Sequence, residues 1–208
     1  MSESSNRQRV GIFGGTFDPI HLGHLLLAEV AADSLELDEV RFVPAAISPL
    51  KTHQRPIDDK HRLEMVRLAI GGNSRFRVDD REIRRGGTSY TVDTLAELRQ
   101  ENPQTEWYFL MGADSLVDFH SWREPERICQ LARVIVLSRG GQAAPDMQLL
   151  APYLPESQRA DLASHCLTMP QVDVSSSAIR ESLRQSRSVR YQLHPAVAAY
   201  IQAQQLYR

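Results

Sequence analysis

Two imidazole side chains stand three residues apart in residues 14–25, which read GGTFDPIHLGHL. If the chain is helical from Leu22 onward, His21 and His24 lie on nearly one face, at the positive end of the helix dipole. The Gly14–Gly15 pair lets backbone N–H groups approach an anion without a Cβ in the way. These residue types at this spacing predict an anion site with two imidazole donors, suited to a triphosphate.

Two simpler structures would use the same residues. A glycine pair after a strand is often only a turn, and two histidines can hold a metal ion. The metal site is disfavoured, because no third ligand lies nearby in the sequence and metalloprotease helices space their histidines four residues apart. We therefore expect no metal site built from protein side chains alone.

A second polar segment, VSSSAIRES at residues 174–182, carries three hydroxyls before a helix-like run. Serine is a favoured N-cap, and the backbone N–H groups of a helix start attract anions. Arg180 lies one turn in, on the same side as Ser176 and Ser177, where it can hold the far phosphates of a nucleotide. Serine-capped helices with solvated arginines are common, so this prediction depends on the segment meeting the first one.

Short apolar runs alternate with helix-like runs and must position both segments. Helix-like runs begin at Leu22, Asp58 and Thr91, and the strand-like runs are residues 9–13, 40–43, 76–79, 107–111 and 133–137. The apolar runs are continuous, as in parallel strands buried on both faces. The pattern predicts a doubly wound, Rossmann-like α/β sheet, which binds ligands at the carboxyl ends of its strands.

The domain organisation follows from this pattern. We expect one domain over residues 1–208, with a flexible N-terminus at 1–8 and a C-terminal helical part at 174–208. The last helix is expected to run from Pro195 through Leu206. The polar, proline-interrupted residues 48–56 are expected to form a mobile loop, and residues 142–163 to hold short surface helices.

Composition excludes several classes of protein. The 208 residues carry a formal charge of −2, which argues against a polybasic nucleic-acid binder. No apolar run reaches the roughly 18 residues of a membrane span. Cys129 and Cys166 stand alone, which excludes a disulfide scaffold and favours a cytoplasmic setting. The chain lacks a GxxxxGK[ST] loop and has no GxGxxG after its first strand, so P-loop enzymes and ordinary dehydrogenases are disfavoured.

The two segments together resemble the signatures of the HxGH nucleotidylyltransferase superfamily. GGTFDPIHLGH resembles its N-terminal signature, and SSSAIR resembles its SSTxxR signature with Ser177 in place of threonine. Within the superfamily the chain most resembles the bacterial nicotinate-nucleotide adenylyltransferases. The supporting matches are VPAAISPLK, HRLEMVRLAI, TSYTVDTL, MGADSL, FHSW and LHPAVAAYIQAQQLY.

This resemblance implies a reaction and a donor site. ATP and nicotinate mononucleotide would give nicotinate adenine dinucleotide and pyrophosphate, with Mg²⁺ accompanying ATP, as a step of NAD biosynthesis. His21, His24 and Arg180 would be catalytic. The residues implied to bind ATP are Gly14, Gly15, Thr16, Phe17, His21, His24, Asp114, Ser175, Ser176, Ser177 and Arg180.

The acceptor pocket is expected around a second helix start. Free N–H groups near Thr91 favour a carboxylate over an amide, and Trp122 can stack on a pyridine ring. The resemblance implies that Thr88, Tyr90 and Trp122 shape this pocket, although both aromatics could instead be core residues. The full set predicted to bind the acceptor is Lys51, Thr88, Ser89, Tyr90, Thr91 and Trp122.

Three other functions remain open from sequence. The nearest is another HxGH enzyme, a phosphopantetheine adenylyltransferase or a cytidylyltransferase. A nucleotide-binding regulator without turnover is another. Class I aminoacyl-tRNA synthetases have a similar His-x-Gly-His motif, but this sequence shows no basic face that would bind tRNA. Neither nucleic-acid nor membrane binding is expected, and the chain is expected to be a monomer or a small homo-oligomer.

Overall fold

The computed structural model describes residues 7–49, 56–139, 144–164 and 167–208. Within these residues, parallel strands form one sheet in the order β3-β2-β1-β4-β5-β6. The strands are β1 (Arg9–Gly15), β2 (Glu39–Pro44), β3 (Phe76–Val78), β4 (Glu106–Gly112), β5 (Arg133–Arg139) and β6 (Leu167–Met169). The helices are α1 (Leu22–Ser34), α2 (Asp59–Ile70), α3 (Arg81–Arg85), α4 (Thr91–Glu101), α5 (Ala113–Val117), α6 (Pro125–Leu131), α7 (Glu156–Ser164), α8 (Ser176–Arg184) and α9 (Pro195–Ala203).

The predicted doubly wound α/β sheet is confirmed. The chain builds outward from β1 to β3 and then crosses back to β4, which pairs with β1 on its other side. Ligands of such sheets bind outside the carboxyl ends of the strands at this reversal. The strands flanking the reversal are almost wholly apolar and buried, because helices cover both faces. The glycine pair that ends β1 therefore lies at the expected ligand-binding edge.

Several local predictions need correction. The last helix ends at Ala203 rather than Leu206. Residues 142–163 do contain short helices, but Leu150 among them is buried in the core instead of lying at the surface. Strand β6 and the helices α3, α5 and α6 were not predicted, because three to seven residues are too few to show a period.

Some predictions concern residues outside the described part of the chain. These are Lys51, most of the expected loop at 48–56, Cys166, and residues 1–6 of the expected flexible N-terminus. In the described residues, no helix combines the length and apolar character needed to cross a bilayer.

The guanidinium of Arg62, on α2, has no exposed surface. It donates to the carbonyl of Thr16 at 2.7 Å and to the carbonyl of Ala45 at 2.6 Å. Its charge is paired with Asp59 one turn away, at 2.5 Å. Thr16 follows β1 and Ala45 follows β2, so one buried side chain ties together two loops at the carboxyl edge.

We predict that Arg62→Met lowers the free energy of unfolding by about 2–4 kcal/mol, because each buried carbonyl left unpaired costs about 1–3 kcal/mol. Urea denaturation measures this loss. The matched control is Arg67→Met on the same helix, where the exposed pair with Glu64 predicts a change within about 0.5 kcal/mol. Equal stabilities for the two variants would contradict the structural role of Arg62.

Candidate active site

The two predicted imidazoles stack on each other at the start of α1. The ring centroids of His21 and His24 are 3.7 Å apart, with an interplanar angle of 24°. The backbone N–H of His21 donates to Nδ1 of His24 at 3.2 Å. Because Nδ1 accepts this bond, the neutral ring of His24 carries its proton on Nε2 and is a donor there.

The glycines around the imidazoles have different roles. A Cβ placed on Gly23 would meet Nδ1 of His21 at 3.1 Å. The packing of the His21 ring therefore favours glycine at this position, whether or not a ligand is bound. A Cβ on Gly14 would meet nothing within 4 Å among the described residues. Gly14 therefore faces open space, which agrees with the expected close approach of a ligand to its backbone.

Phe17 supports the imidazoles from the core side. It is a buried residue with φ of 49°, and its ring packs edge-on against His24 with centroids 5.2 Å apart. The ring of Phe17 also contacts those of Phe13 and Phe42. Any contact of Phe17 with ATP must consequently involve its backbone.

The serine-arginine segment meets the first segment across 162 residues of chain. Nη1 of Arg180 donates to the carbonyl of Asp18 at 2.7 Å. The hydroxyl of Ser176 donates to the carbonyl of Pro19 at 2.9 Å. Two independent hydrogen bonds thus hold the start of α8 against the loop that leads into the imidazoles.

The remaining hydroxyls of this segment have different hydrogen-bond partners. Oγ of Ser175 caps α8 by accepting the N–H of Ala178 at 3.2 Å. Ser177 is exposed, and its Oγ lies 3.5 Å from Nη2 of Arg180. At the start of α1, the N–H of Leu22 donates to the carbonyl of Gln192 at 3.0 Å, so this helix-terminal donor already has a protein partner.

A cavity of about 230 Å³ opens at the same edge of the sheet, on the other side of the glycine loop. Its lining includes Gly14, Gly15, Thr16, Ser89, Tyr90, Thr91 and Trp122 from the predicted set. The lining does not include His21, His24, Arg180 or the serines at 175–177. The predicted residues therefore form two groups, and the loop that begins at Gly14 connects them.

Two predicted residues lie at the margins. Thr88 is exposed and forms a β-bridge with Ile47 instead of lining the cavity. Asp114 is exposed in the first turn of α5, directly after β4, and is also outside the lining. Ser89 fixes the bridged segment: its N–H donates to the carbonyl of Ile47, and its Oγ accepts the N–H of Ala46, both at 2.9 Å.

The aromatic residues of the cavity join it to the core. Trp122 packs against Phe109 and Phe119, with centroids 5.9 and 5.5 Å away. Its buried Nε1 has no hydrogen-bond partner among the described residues. The guanidinium of Arg123 lies over the ring of Tyr90 at 4.8 Å and is paired with Asp93 at 3.2 Å and with Glu124 at 3.5 Å. Both aromatics are thus partly core residues that also line the cavity.

Sequence analysis missed three residues of this region: Arg62, Glu82 and Arg123. Glu82 is buried and lines the cavity, and it accepts a hydrogen bond from Thr94 at 2.5 Å. Burial raises the pKa of Glu82, against the opposing hydrogen bonds from Thr94 and Ser89. Charged residues are common in such helical runs, so only tertiary structure could reveal that Arg62 and Glu82 are buried.

No group of three or more possible metal ligands occurs among His, Cys, Asp and Glu of the described residues. Within that part of the chain, no cage of protein side chains alone would hold an ion. Mg²⁺ does not need one, because it commonly binds one or two carboxylates together with substrate phosphates and water.

Comparisons with known proteins agree on one family. Residues 12–182 match the family model described as cytidylyltransferase-like. A protein of Rhodopirellula baltica named "Probable nicotinate-nucleotide adenylyltransferase" is 41% identical, over 96% of this chain and 93% of its own length. A protein of Roseiflexus sp. with the same name is 46% identical over 96% and 98%. A solved structure of Plasmodium falciparum nicotinic acid mononucleotide adenylyltransferase, complexed with NaAD, shares the fold with a TM-score of 0.73 at 20% identity, covering 97% of this chain and 98% of that one.

We predict that Glu82 makes stability depend on pH. Because its folded pKa is raised above 4.5, the native protein holds more protons than the unfolded chain between pH 4.5 and that raised value. This carboxyl therefore lowers stability as the pH rises through that window. Glu82→Gln lacks the titration, so its Tm relative to wild type should increase from pH 4 to pH 7. A Tm difference that stays constant or shrinks over this range would contradict the prediction.

Proposed function

The chain belongs to the cytidylyltransferase-like family and, within it, to the nicotinate-nucleotide adenylyltransferases, and on that premise we propose how its residues transfer AMP from ATP to nicotinate mononucleotide. An oxygen of the acceptor phosphate bonds to the α-phosphorus of ATP, and the bond from that phosphorus to the bridging oxygen breaks. The products are nicotinate adenine dinucleotide and pyrophosphate, a step of NAD biosynthesis. The observation that supports this assignment of residues is that Arg180 and Ser176 bond to the loop that leads into the imidazole pair, beside a separate cavity.

The chemistry calls for positioning more than for acid-base catalysis. The acceptor is a phosphate monoester that is mostly dianionic at pH 7, because its second pKa is about 6. It needs no general base. The barrier comes from bringing two anions together and from the charge on the departing pyrophosphate, so fixed donors supply the catalysis.

The donor site would take the triphosphate along the loop after β1 and the start of α1. Backbone N–H groups from Gly14 to Phe17 would bind phosphate oxygens next to the open space at Gly14. His24 would donate from Nε2, the nitrogen that its hydrogen bond to the His21 backbone leaves protonated. The stacked ring of His21 would hold His24 in place and contribute a second imidazole.

The far phosphates would lie against α8. Arg180 would bind β- and γ-phosphate oxygens from the place where Asp18 holds it, and the exposed hydroxyl of Ser177 lies beside it. The hydroxyls of Ser175 and Ser176 already cap α8 and hold Pro19, so their contribution to ATP would come from the helix start that they shape.

Mg²⁺ would enter with ATP. When bound, it neutralises part of the charge on the phosphates. Asp114 would supply a protein carboxylate for the hydrated ion, since it is exposed at the end of β4, the strand next to β1. An exposed carboxylate suits an ion that keeps several of its water molecules.

The cavity would take the nicotinate mononucleotide. The helix α4 begins at Thr91 without a side-chain cap, and the N–H of Asp93 already donates to the carbonyl of Tyr90 at 3.1 Å. The N–H groups of Thr91 and Val92 would therefore be the ones that bind a carboxylate. Trp122 would stack on the pyridine ring and offer its Nε1–H. Contributions of Lys51 and Thr88 stay predictions, as do a cytoplasmic location, the absence of nucleic-acid partners and the oligomeric state.

The curated relatives are named for the nicotinate substrate, which favours this assignment over a phosphopantetheine adenylyltransferase or a cytidylyltransferase. Pyrophosphate release from ATP, measured with nicotinate mononucleotide, phosphopantetheine or no acceptor, tests it directly. Turnover that requires nicotinate mononucleotide, and does not occur with phosphopantetheine or without an acceptor, supports the proposal. No turnover with any acceptor would instead indicate a nucleotide-binding regulator.

We predict that His24→Ala lowers kcat by roughly 10²–10³, the usual effect of removing one preorganised donor to a transition state. The circular dichroism spectrum should stay that of the wild type. His61→Ala is the control, because His61 bonds to Tyr200 away from the first segment and should keep nearly the wild-type kcat. A His24→Ala enzyme with wild-type turnover would remove this side chain from the mechanism.

We predict that nicotinate mononucleotide is preferred over nicotinamide mononucleotide by roughly tenfold or more in kcat/KM. The amide NH₂ would face the donors of α4 and leave them unpaired, at a cost of about 1–3 kcal/mol. Steady-state pyrophosphate release with each acceptor measures the ratio. Equal values of kcat/KM would refute carboxylate selection by the helix start.

A further inference from the structure

Tyr207, near the C-terminus, contacts the segment of residues 14–25 that carries the two imidazoles. The hydroxyl of Tyr207 donates to Oδ1 of Asp18 at 2.7 Å, across 189 residues of chain. Asp18 is 8% exposed, so its carboxylate depends on protein donors for much of its hydrogen bonding. Tyr207 adopts a left-handed backbone conformation with φ of 64° and packs against the hydrophobic core. The contact therefore lies next to the loop of the donor site.

Asp18 also sets the position of Arg180. Its backbone carbonyl accepts Nη1 of Arg180 at 2.7 Å, and its second carboxylate oxygen, Oδ2, lies 3.7 Å from the same nitrogen. The shortest contact between the carboxylate and Arg180 is thus a long one, while Oδ1 faces Tyr207. A carboxylate and a guanidinium this close would otherwise favour a two-bond, fork-like pair.

The tyrosine is suited to stay a hydrogen-bond donor. Burial, followed by the negative charge of Asp18, raises the pKa of Tyr207 far above its usual value, and Arg180 and Arg62 oppose this only in part. The hydroxyl consequently keeps its proton at all pH values at which the enzyme would work.

We propose that Tyr207 is a positioning residue for ATP, which keeps Oδ1 of Asp18 occupied so that the carboxylate does not close on Arg180. The inference rests on the proposed role of Arg180 in binding phosphates. Without the hydroxyl, Asp18 rotates to pair with the guanidinium through both oxygens. That pair competes with the β- and γ-phosphates for the same N–H groups, and the affinity for ATP falls while the acceptor cavity is unaffected.

The test is the steady-state kinetics of Y207F with each substrate varied in turn. The expected result is a rise of about five- to tenfold in KM for ATP, the size of one hydrogen bond's net contribution, with an unchanged KM for nicotinate mononucleotide. The matched control is Y200F. It removes a comparable hydroxyl, bonded to Nδ1 of His61 at 2.8 Å, from the same C-terminal region without touching Asp18.

A double variant separates positioning from simple stabilisation. In Y207F/D18N the amide forms no ion pair with Arg180, so KM for ATP should return toward the wild-type value. A structural role of Tyr207 predicts the opposite, because the two losses would add. The comparison also holds if Y207F is less stable than the wild type. The double variant is at least as strongly perturbed, so a recovery of KM for ATP could not come from restored stability.

Each possible result either supports or overturns the proposed role of Tyr207. The proposal is overturned if Y207F keeps the wild-type KM for ATP, if both KM values rise together, if Y200F has the same effect, or if D18N fails to rescue Y207F. Failure of the wild-type protein to release pyrophosphate with nicotinate mononucleotide would count against the proposed function instead. A normal wild type with an unaltered Y207F overturns only the role of Tyr207.

Discussion

The buried guanidinium of Arg62 fixes the geometry on which both halves of the site depend. Removing a charge from water is costly, and the cost is acceptable only where hydrogen bonds and an opposite charge replace the solvent. Here Asp59 supplies the charge, and the carbonyls of Thr16 and Ala45 accept hydrogen bonds. Both carbonyl residues line the cavity. One desolvated side chain thereby sets the distance between the loop that would bind triphosphate and the loop that bounds the acceptor cavity.

The parallel sheet explains why residues far apart in sequence meet at this edge. Every strand ends with its carboxyl end on the same side, so the segments after β1, β2 and β4 converge there. Side chains from two later segments are bonded to these loops: Ser176, at the start of α8, bonds to Pro19 after β1, and Ser89, before α4, bonds to the backbone of Ala46 after β2. The site consequently depends on side-chain to backbone bonds between loops, which the sheet alone does not specify.

The sequence predicts well whatever depends on local pattern. Apolar runs located five of the strands, and the spacing of His21 and His24 predicted that both rings would lie together. The sequence predicted poorly those features that depend on tertiary contacts. Nothing local distinguishes the buried Arg62 from the exposed Arg67 on the same helix, and β6 exists only because it pairs with β5. The matches to a known family indicated that the two segments would meet, but not through which atoms.

The charge of the cavity limits how it could select a carboxylate. Glu82 lines the cavity, and its ionised form would repel a nicotinate carboxylate. Burial raises its pKa and so favours the neutral acid, while the hydrogen bonds from Thr94 and Ser89 act in the opposite direction. These bonds tie Glu82 to Thr94 within α4 and to Ser89 just before it, so Glu82 supports the shape of the cavity although its charge would repel a carboxylate. Selection of an acid over an amide by this cavity would therefore have to come from local donors at the start of α4, because the charge of Arg123 is already paired with Asp93 and Glu124.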